Sequence, residues 1–332
     1  MQNYNAKLKI ICLFLLLPFL TGCAGKISNN SPAINNRNTS VPEVSQNNRK
    51  LIKVLFVGDM MFDRYIREGA GKYGHGDYDY ILSQVKDKLA GYDLVVGNLE
   101  GPITDKSSVS VGTALDEKKN LDFSFDPAVA KVLAVNNIKL VDLGNNHILN
   151  QGEDGVVQTK KYLDVAGVQY FGDLGDMEIE SPYGDSISKV VNISGTKIGF
   201  VNYNYSVAGS FERAIADIKN IRAQSDVVAV CPHWGTEYKI GDPGQEIRSE
   251  AYKLIDAGAD LIVGGHPHVV QDSETYKGKK IYYSLGNFIF DQYFSPDTMQ
   301  GLGVELTVAP DLSMGYNELK VEMTKKGQTE IK

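Results

Sequence analysis

The feature that most restricts the fold is a rhythm of apolar runs. Nine runs of strand length recur between residues 52 and 308, among them IKVLFVG (52–58), DVVAVCP (226–232) and DLIVGG (260–265). Between many of them lie segments of helical period, at 78–90, 127–136, 154–165, 210–223 and 246–257. Near-continuous Val/Ile/Leu strands alternating with helices predict an α/β fold with a sheet covered on both faces. The stretch VVNISGTKIGFVNY (190–203) departs from this rhythm, because Ser194 and Gly195 make a tight turn between two runs. It predicts an antiparallel hairpin inside a wound fold. A mixed sheet, or two packed ones, is therefore expected.

The first residues have another character. Lys7 and Lys9 precede an apolar stretch from Ile10 to Leu20, too short to span a bilayer and suited to a secretory leader. Leu20, Thr21, Gly22 and Cys23 resemble the bacterial lipoprotein box, which predicts lipidation of Cys23 and an extracytoplasmic chain anchored in the cell membrane. Residues 1–22 then form a signal peptide, 23–50 an Asn/Ser-rich tether with too few large apolar residues to pack, and 51–332 the folded domain. Cys12 leaves with the leader and Cys23 is lipidated, so Cys231 remains as a free thiol. The net charge of −7 argues against a polyanion held by bulk electrostatics. Nucleic acid is excluded as a partner on that ground, and an anionic substrate must be gripped locally by a metal or a few basic side chains.

The residues that can do chemistry stand just after the apolar runs. VLFVG is followed by Asp59, DLVVGNL by Glu100, LVDLG by Asn145, Asn146 and His147, VVAVCP by His233, LIVGG by His266 and His268, and YYSLG by Asn287. The carboxyl ends of strands in α/β sheets line the crevice where ligands bind, so these groups are expected to meet in one pocket. Asp, Glu, Asn and His are the ligands preferred by divalent cations such as Mn, Fe and Zn. Taken singly, each has a plainer role: Asp59 as a helix cap, Glu100 as a solvated charge, His147 as a structural histidine, Asn145-Asn146 as a turn. Their joint placement at successive strand ends favours a site. His75, in the loop GKYGHGDYDY, is assigned no ligand role.

In this order, GDMMFDR, GNLEGPIT, NNHILNQGEDGV, PHWGTEY, GADLIVGGHPHVVQ and YSLGNFIFDQ resemble the capsule synthesis protein CapA family, associated with poly-γ-glutamate. That family is similar to the calcineurin-like metallophosphatases, which implies a metallophosphatase-like β-sandwich of mixed sheets flanked by helices. The resemblance implies Asp59 and His268 as ligands of a first metal, His233 and His266 of a second, Glu100 near the bridging position, Asn146 as a further ligand and His147 as general acid. One or two divalent ions (Mn, Fe or Zn) are the expected cofactor. Two departures bear on the first metal: Met61 stands where a metallophosphatase has histidine, and the bridge is a Glu in place of an Asp.

Arg64, Asn98, Trp234, Tyr238 and Asn287 are candidate substrate-binding groups for an anionic polymer or phosphoester. Arg64 has an alternative as a helix ion pair with Asp63 or Glu68, and Trp234 as core. The expected function is a metal-dependent, phosphoesterase-like hydrolase of capsule or poly-γ-glutamate biosynthesis, with capsule-synthesis membrane proteins as partners. The alternative is a non-catalytic polymer-binding or export component that keeps the metallophosphatase shell.

Overall fold

A computed structural model describes residues 49–114, 116–172 and 188–332. The expected leader, Cys23 and nearly all of the tether lie outside the described residues. No helix among those described is long and apolar enough to cross a membrane.

Two mixed sheets face each other. The first contains β1 (Ile52–Met60), β2 (Leu94–Leu99), β3 (Ile138–Asp142) and β4 (Gln169–Phe171), all parallel. The second contains β5 (Ser188–Ile193), β6 (Thr196–Asn204), β7 (Val227–His233), β8 (Leu261–Val263), β9 (Ser273–Tyr276) and β10 (Lys279–Tyr282), in the order β5-β6-β7-β8-β10-β9. The chain then returns to the first sheet through β11 (Asn287–Ile289), β12 (Gln300–Val308), β13 (Met314–Met323) and β14 (Thr329–Ile331). That sheet runs β14-β13-β12-β1-β2-β3-β4, with β11 beside the end of β1. Helices α1 (Arg64–Tyr73), α2 (Asp79–Leu82), α3 (Lys86–Leu89), α4 (Ala128–Val135) and α5 (Gly152–Ala166) precede β5, while α6 (Ser210–Arg222) and α7 (Gln245–Ala257) belong to the second sheet's crossovers.

Period-two alternation builds the layers, because successive strand side chains point to opposite faces. In β7, Val227 and Ala229 join the layer between the sheets, while Val228 and Val230 pack with Ile218, Leu254 and Ile255 of α6 and α7. In β1, Val54 and Phe56 face the other sheet and Leu55 and Val57 face a third layer containing residues of α1 to α5. The inter-sheet layer includes Phe56, Phe171 and Phe200, and each such ring taken fully from water contributes about 1.5–3 kcal/mol. The result is helices, sheet, sheet, helices, as the alternating runs predict.

The hairpin forms as expected: β5 and β6 pair antiparallel, and Ser194 and Gly195 have φ of 49° and 88°, the positive pair that tight two-residue turns require. The segment 78–90 is two short helices instead of one. Periodicity does not predict helix α1, nor strands β9, β11, β13 and β14.

Candidate metal centre

The site lies where the parallel strands end. Beyond Phe56, strand β1 leaves β12, and Asp59 comes to lie between Asn98 of β2 and Asn287 of β11. The approach is close: a Cβ on Gly58 would sit 1.9 Å from the Gly286 carbonyl oxygen, so only glycine fits there. Glu100 follows β2, the Asn145–His147 turn follows β3, His233 ends β7, and His266 and His268 follow β8. Asp59, expected to be a helix cap if read alone, is not one: the cap of α1 is Asp63, whose side chain accepts from the Arg64 amide.

The strand ends bring the groups together. Oxygen or nitrogen atoms of Asp59, Glu100 and His268 lie within 4.8 Å of one another, and so do those of Glu100, His233 and His266. Glu100 belongs to both groups. Its Oε1 is 3.5 Å from His268 Nε2 and 3.9 Å from His233 Nε2. Asp59 Oδ2 accepts from the His266 backbone amide at 3.1 Å and lies 3.2 Å from His268 Nδ1. The exposed Asn146 places Oδ1 2.7 Å from His233 Nε2. The His-Pro-His segment is strained, with φ of 93° at His266 and 58° at His268. Strain of this kind costs roughly 1–3 kcal/mol per residue and concentrates at functional sites.

The electrostatics suit a cation. Burial pushes the Asp59 carboxyl up, but the hydrogen bond and charge of His268 override it and hold the group at about 2. Glu100 is raised well above 4.5 by burial and by the charge of Asp59. His233 and His266 are depressed by burial and by the neighbouring imidazoles. Burial also depresses His268, yet the charges of Glu100 and Asp59 outweigh it and lift the ring to about 9. Two polar atoms, Glu100 Oε1 and His266 Nδ1, are buried with no hydrogen-bond partner among the described residues. Such an atom costs about 1–3 kcal/mol unless something ligates it. Neutral His233 and His266 beside the ionised Asp59 are what a divalent metal requires, while His268 and Glu100, whose values are raised, would each give up a proton to ligate it; on those terms the residues present fit such an ion.

His147 borders this cluster. Its Nδ1 lies 3.1 Å from Asn150 Oδ1, which also accepts from the Phe123 amide at 3.0 Å, and its ring packs on Phe123 with centroids 4.5 Å apart. Burial lowers its pKa to about 4. Met61, where a phosphatase has histidine, is a fully buried core residue whose Sδ accepts from the Asp63 amide at 2.9 Å.

The five candidate substrate-binding residues separate. Tyr238 is 43% exposed, its ring 6.2 Å from that of His268. Trp234 instead sits in the core between Tyr203 and Tyr283, and its Nε1 donates to the Tyr283 carbonyl at 2.9 Å. Asn98 touches three of the candidate ligands: its Nδ2 lies 2.8 Å from Asp59 Oδ1, 3.3 Å from Glu100 Oε2 and 3.3 Å from His233 Nδ1. Asn287 is buried, with Oδ1 3.1 Å from His268 Nδ1 and Nδ2 donating to Gln292 and to the Thr298 carbonyl. Arg64 is 5% exposed, pairs with Asp291 at 2.5 Å and donates to Asn120 Oδ1 at 2.7 Å, its guanidinium lying over Phe123 and Phe290. Its guanidinium pairs with neither Asp63 nor Glu68; the Asp63 carboxylate pairs with Arg67.

Sequence reasoning passes over Asn150, Phe123, Asp291 and Gln292. Asn150 stands three residues after His147, and Asp291-Gln292 end the motif YSLGNFIFDQ, so both are within its reach. Asn145, read as a possible turn, donates to Asn98 Oδ1 and to the Leu99 carbonyl, both at 2.9 Å, and so ties the β3 turn to β2.

Residues 53–292 match the family described as bacterial capsule synthesis protein PGA_cap. The chain belongs to that family. Among curated relatives in line with this, the PGA biosynthesis protein CapA of Bacillus subtilis (strain 168) is 31% identical over 267 residues, which cover 76% of this chain and 66% of that protein. The capsule biosynthesis protein CapA of Bacillus anthracis is 30% identical over 277 residues, covering 77% and 64%. This PGA_cap chain therefore spans just under two thirds of the length of these two relatives. A crystal structure of a phosphatase from Mycoplasma pneumoniae matches with a TM-score of 0.50 at 15% identity, over 82% of this chain and 94% of that one. That likeness bears on the fold alone, a metallophosphatase-like sandwich.

Proposed function

We propose that this PGA_cap protein is a metal-dependent hydrolase of capsule or poly-γ-glutamate production, acting on a phosphoester or amide-like bond of an anionic polymer. The observation that carries the reading is the membership of Glu100 in both ligand groups, with one of its oxygens otherwise unpartnered. Asp59, Glu100 and His268 would hold one divalent ion (Mn, Fe or Zn), and Glu100, His233, His266 and Asn146 another. A bound pair of such ions polarises a substrate oxygen and lowers the pKa of water. The chain's own residues do the rest. With Nδ1 tied to Asn150, His147 has Nε2 left to exchange a proton with the leaving group. Asn98, Asn145 and Asn287 fix the ligands, and Tyr238 meets the substrate at the mouth. Lipidation of Cys23 would hold the domain at the outer face of the membrane, near membrane proteins of the same synthesis.

A second reading is a polymer-binding or export component without turnover. Met61 favours it, because a thioether buried in the core withdraws one ligand from the first metal position. The two readings separate on the purified protein, assayed for bound metal and for hydrolysis of an artificial phosphodiester. Hydrolysis that falls about a hundredfold or more in His147→Ala, with metal retained, is expected. Metal retained without any turnover dependent on His147 would establish the binding reading instead.

A further inference from the structure

Beside the metal centre lies a second concavity, a groove of about 360 Å³ whose walls include Tyr293, Phe294, Met299, Glu322, Met323 and Lys325. Small-ligand sites commonly have about this volume. Two observations connect it to the centre. One loop serves both: Asp291 holds Arg64, and Gln292 donates to the Tyr238 hydroxyl at 3.1 Å while accepting from Asn287 at 3.1 Å. The next two residues, Tyr293 and Phe294, are groove wall.

Aromatic surface is continuous between the two places. Phe294 meets Tyr238 edge-on at 5.3 Å, and Tyr238 lies 6.2 Å from His268. Phe294 is 53% exposed, so its ring is open to a ligand lying in the groove. The charges are also unbalanced. The Glu322 carboxylate is taken by Lys320 at 3.0 Å and Lys332 at 2.5 Å. Lys325, in the turn between β13 and β14, has no ion-pair partner among the described residues. The groove thus offers apolar walls and one uncommitted cation.

We propose that this groove is a subsite for the distal units of an anionic chain whose reacting segment lies at the metal centre. The inference rests on the polymer reading given above. The units it fits carry both methylenes and a carboxylate: methylenes pack on Phe294 and Met299, and the carboxylate pairs with Lys325. A substrate ending within the metal centre would leave these groups unused.

The test measures affinity of the manganese-loaded protein for a long poly-γ-glutamate chain and for the γ-linked glutamate dimer. Wild type is expected to prefer the chain. Phe294→Ala and Lys325→Glu are each expected to weaken chain binding about tenfold, shrinking that preference, with metal content and Tm as controls for folding. If wild type prefers the chain and both variants bind it as tightly, the subsite is wrong and the polymer reading survives. Should wild type bind neither probe, both fall together.

Discussion

Asp260 and Glu100 are both buried carboxylates, but Asp260 stands at the amino end of β8 and Glu100 just past the carboxyl end of β2. Asp260 is fully provided for. Its Oδ1 accepts from Lys279 Nζ at 2.6 Å, and its Oδ2 accepts from the Val228 amide at 2.9 Å and from Arg222. Glu100 receives a single long hydrogen bond from Asn98 at 3.3 Å, and its other oxygen accepts none, lying 3.5 Å from His268 Nε2 and 3.9 Å from His233 Nε2. A carboxylate kept only for stability would be surrounded as Asp260 is. The difference teaches that the amino ends of these strands clamp the fold, while the carboxyl ends hold groups ready for something else. Backbone strain gathers at the centre too, though not only there: Arg64, Tyr238, His266 and His268 have positive φ around it, while Asn137, Ser194 and Lys277 have positive φ in turns elsewhere.

If that contrast is right, removing divalent cations has the largest effect on stability. A site filled at a hundredfold excess over its Kd contributes about 2.7 kcal/mol, so a chelator should lower Tm by roughly 5 °C in calorimetry. An unmoved Tm, with no metal found by elemental analysis, would mean that the carboxyl-end groups are merely ill-matched. In chelated protein, Asp260→Asn should then cost about 2 kcal/mol in denaturant unfolding, because Arg222 and Lys279 lose a charged acceptor. Glu100→Gln should cost nothing or stabilise slightly, since it removes a carboxyl whose burial outweighs its contacts with His268 and Asn98. Equal losses from the two variants would erase the distinction between the two ends.

The sandwich is legible in the sequence because its layers follow period two: Val227 and Ala229 face one way and Val228 and Val230 the other, as alternation requires. The ligand cluster is legible for a different reason. Asp59, Glu100, His233, His266 and His268 each directly follow or end an apolar run, and strand ends converge. Helix α1 escapes because Gly69 and Gly71 dilute its helical pattern, and β13 because Glu318 and Lys320 make one side polar while Asn317 interrupts the apolar side of Leu319 and Val321. The partner that a polar or aromatic side chain near the site will find is not legible. Asn98, Asn287, Trp234 and Arg64 have the chemistry of substrate-binding residues, yet each turns inward to a partner that only tertiary structure supplies. Phe123, which seats His147, lies in no motif.

The smallest expected effect is the sign of two slopes in the stability of chelated protein against pH. Burial would raise the Asp260 carboxyl, but Lys279, the Val228 amide and Arg222 together bring it below its ordinary 3.8. Its ionised form therefore stabilises the fold above about 3.8, and that contribution is lost as pH falls through the lower folded value. Glu100 runs the other way, because its folded value lies well above 4.5. Between 4.5 and that value the folded chain binds the extra proton, so stability falls as pH rises. His268, raised to about 9, adds a slope of the same sign at higher pH, so the informative quantity is each variant's difference from wild type. Asp260→Asn should flatten only the acid limb and Glu100→Gln only the limb above 4.5. If Glu100→Gln flattened the acid limb instead, Glu100 would be an ordinary ionised carboxylate of the folded chain, and a cation would have far less reason to bind there.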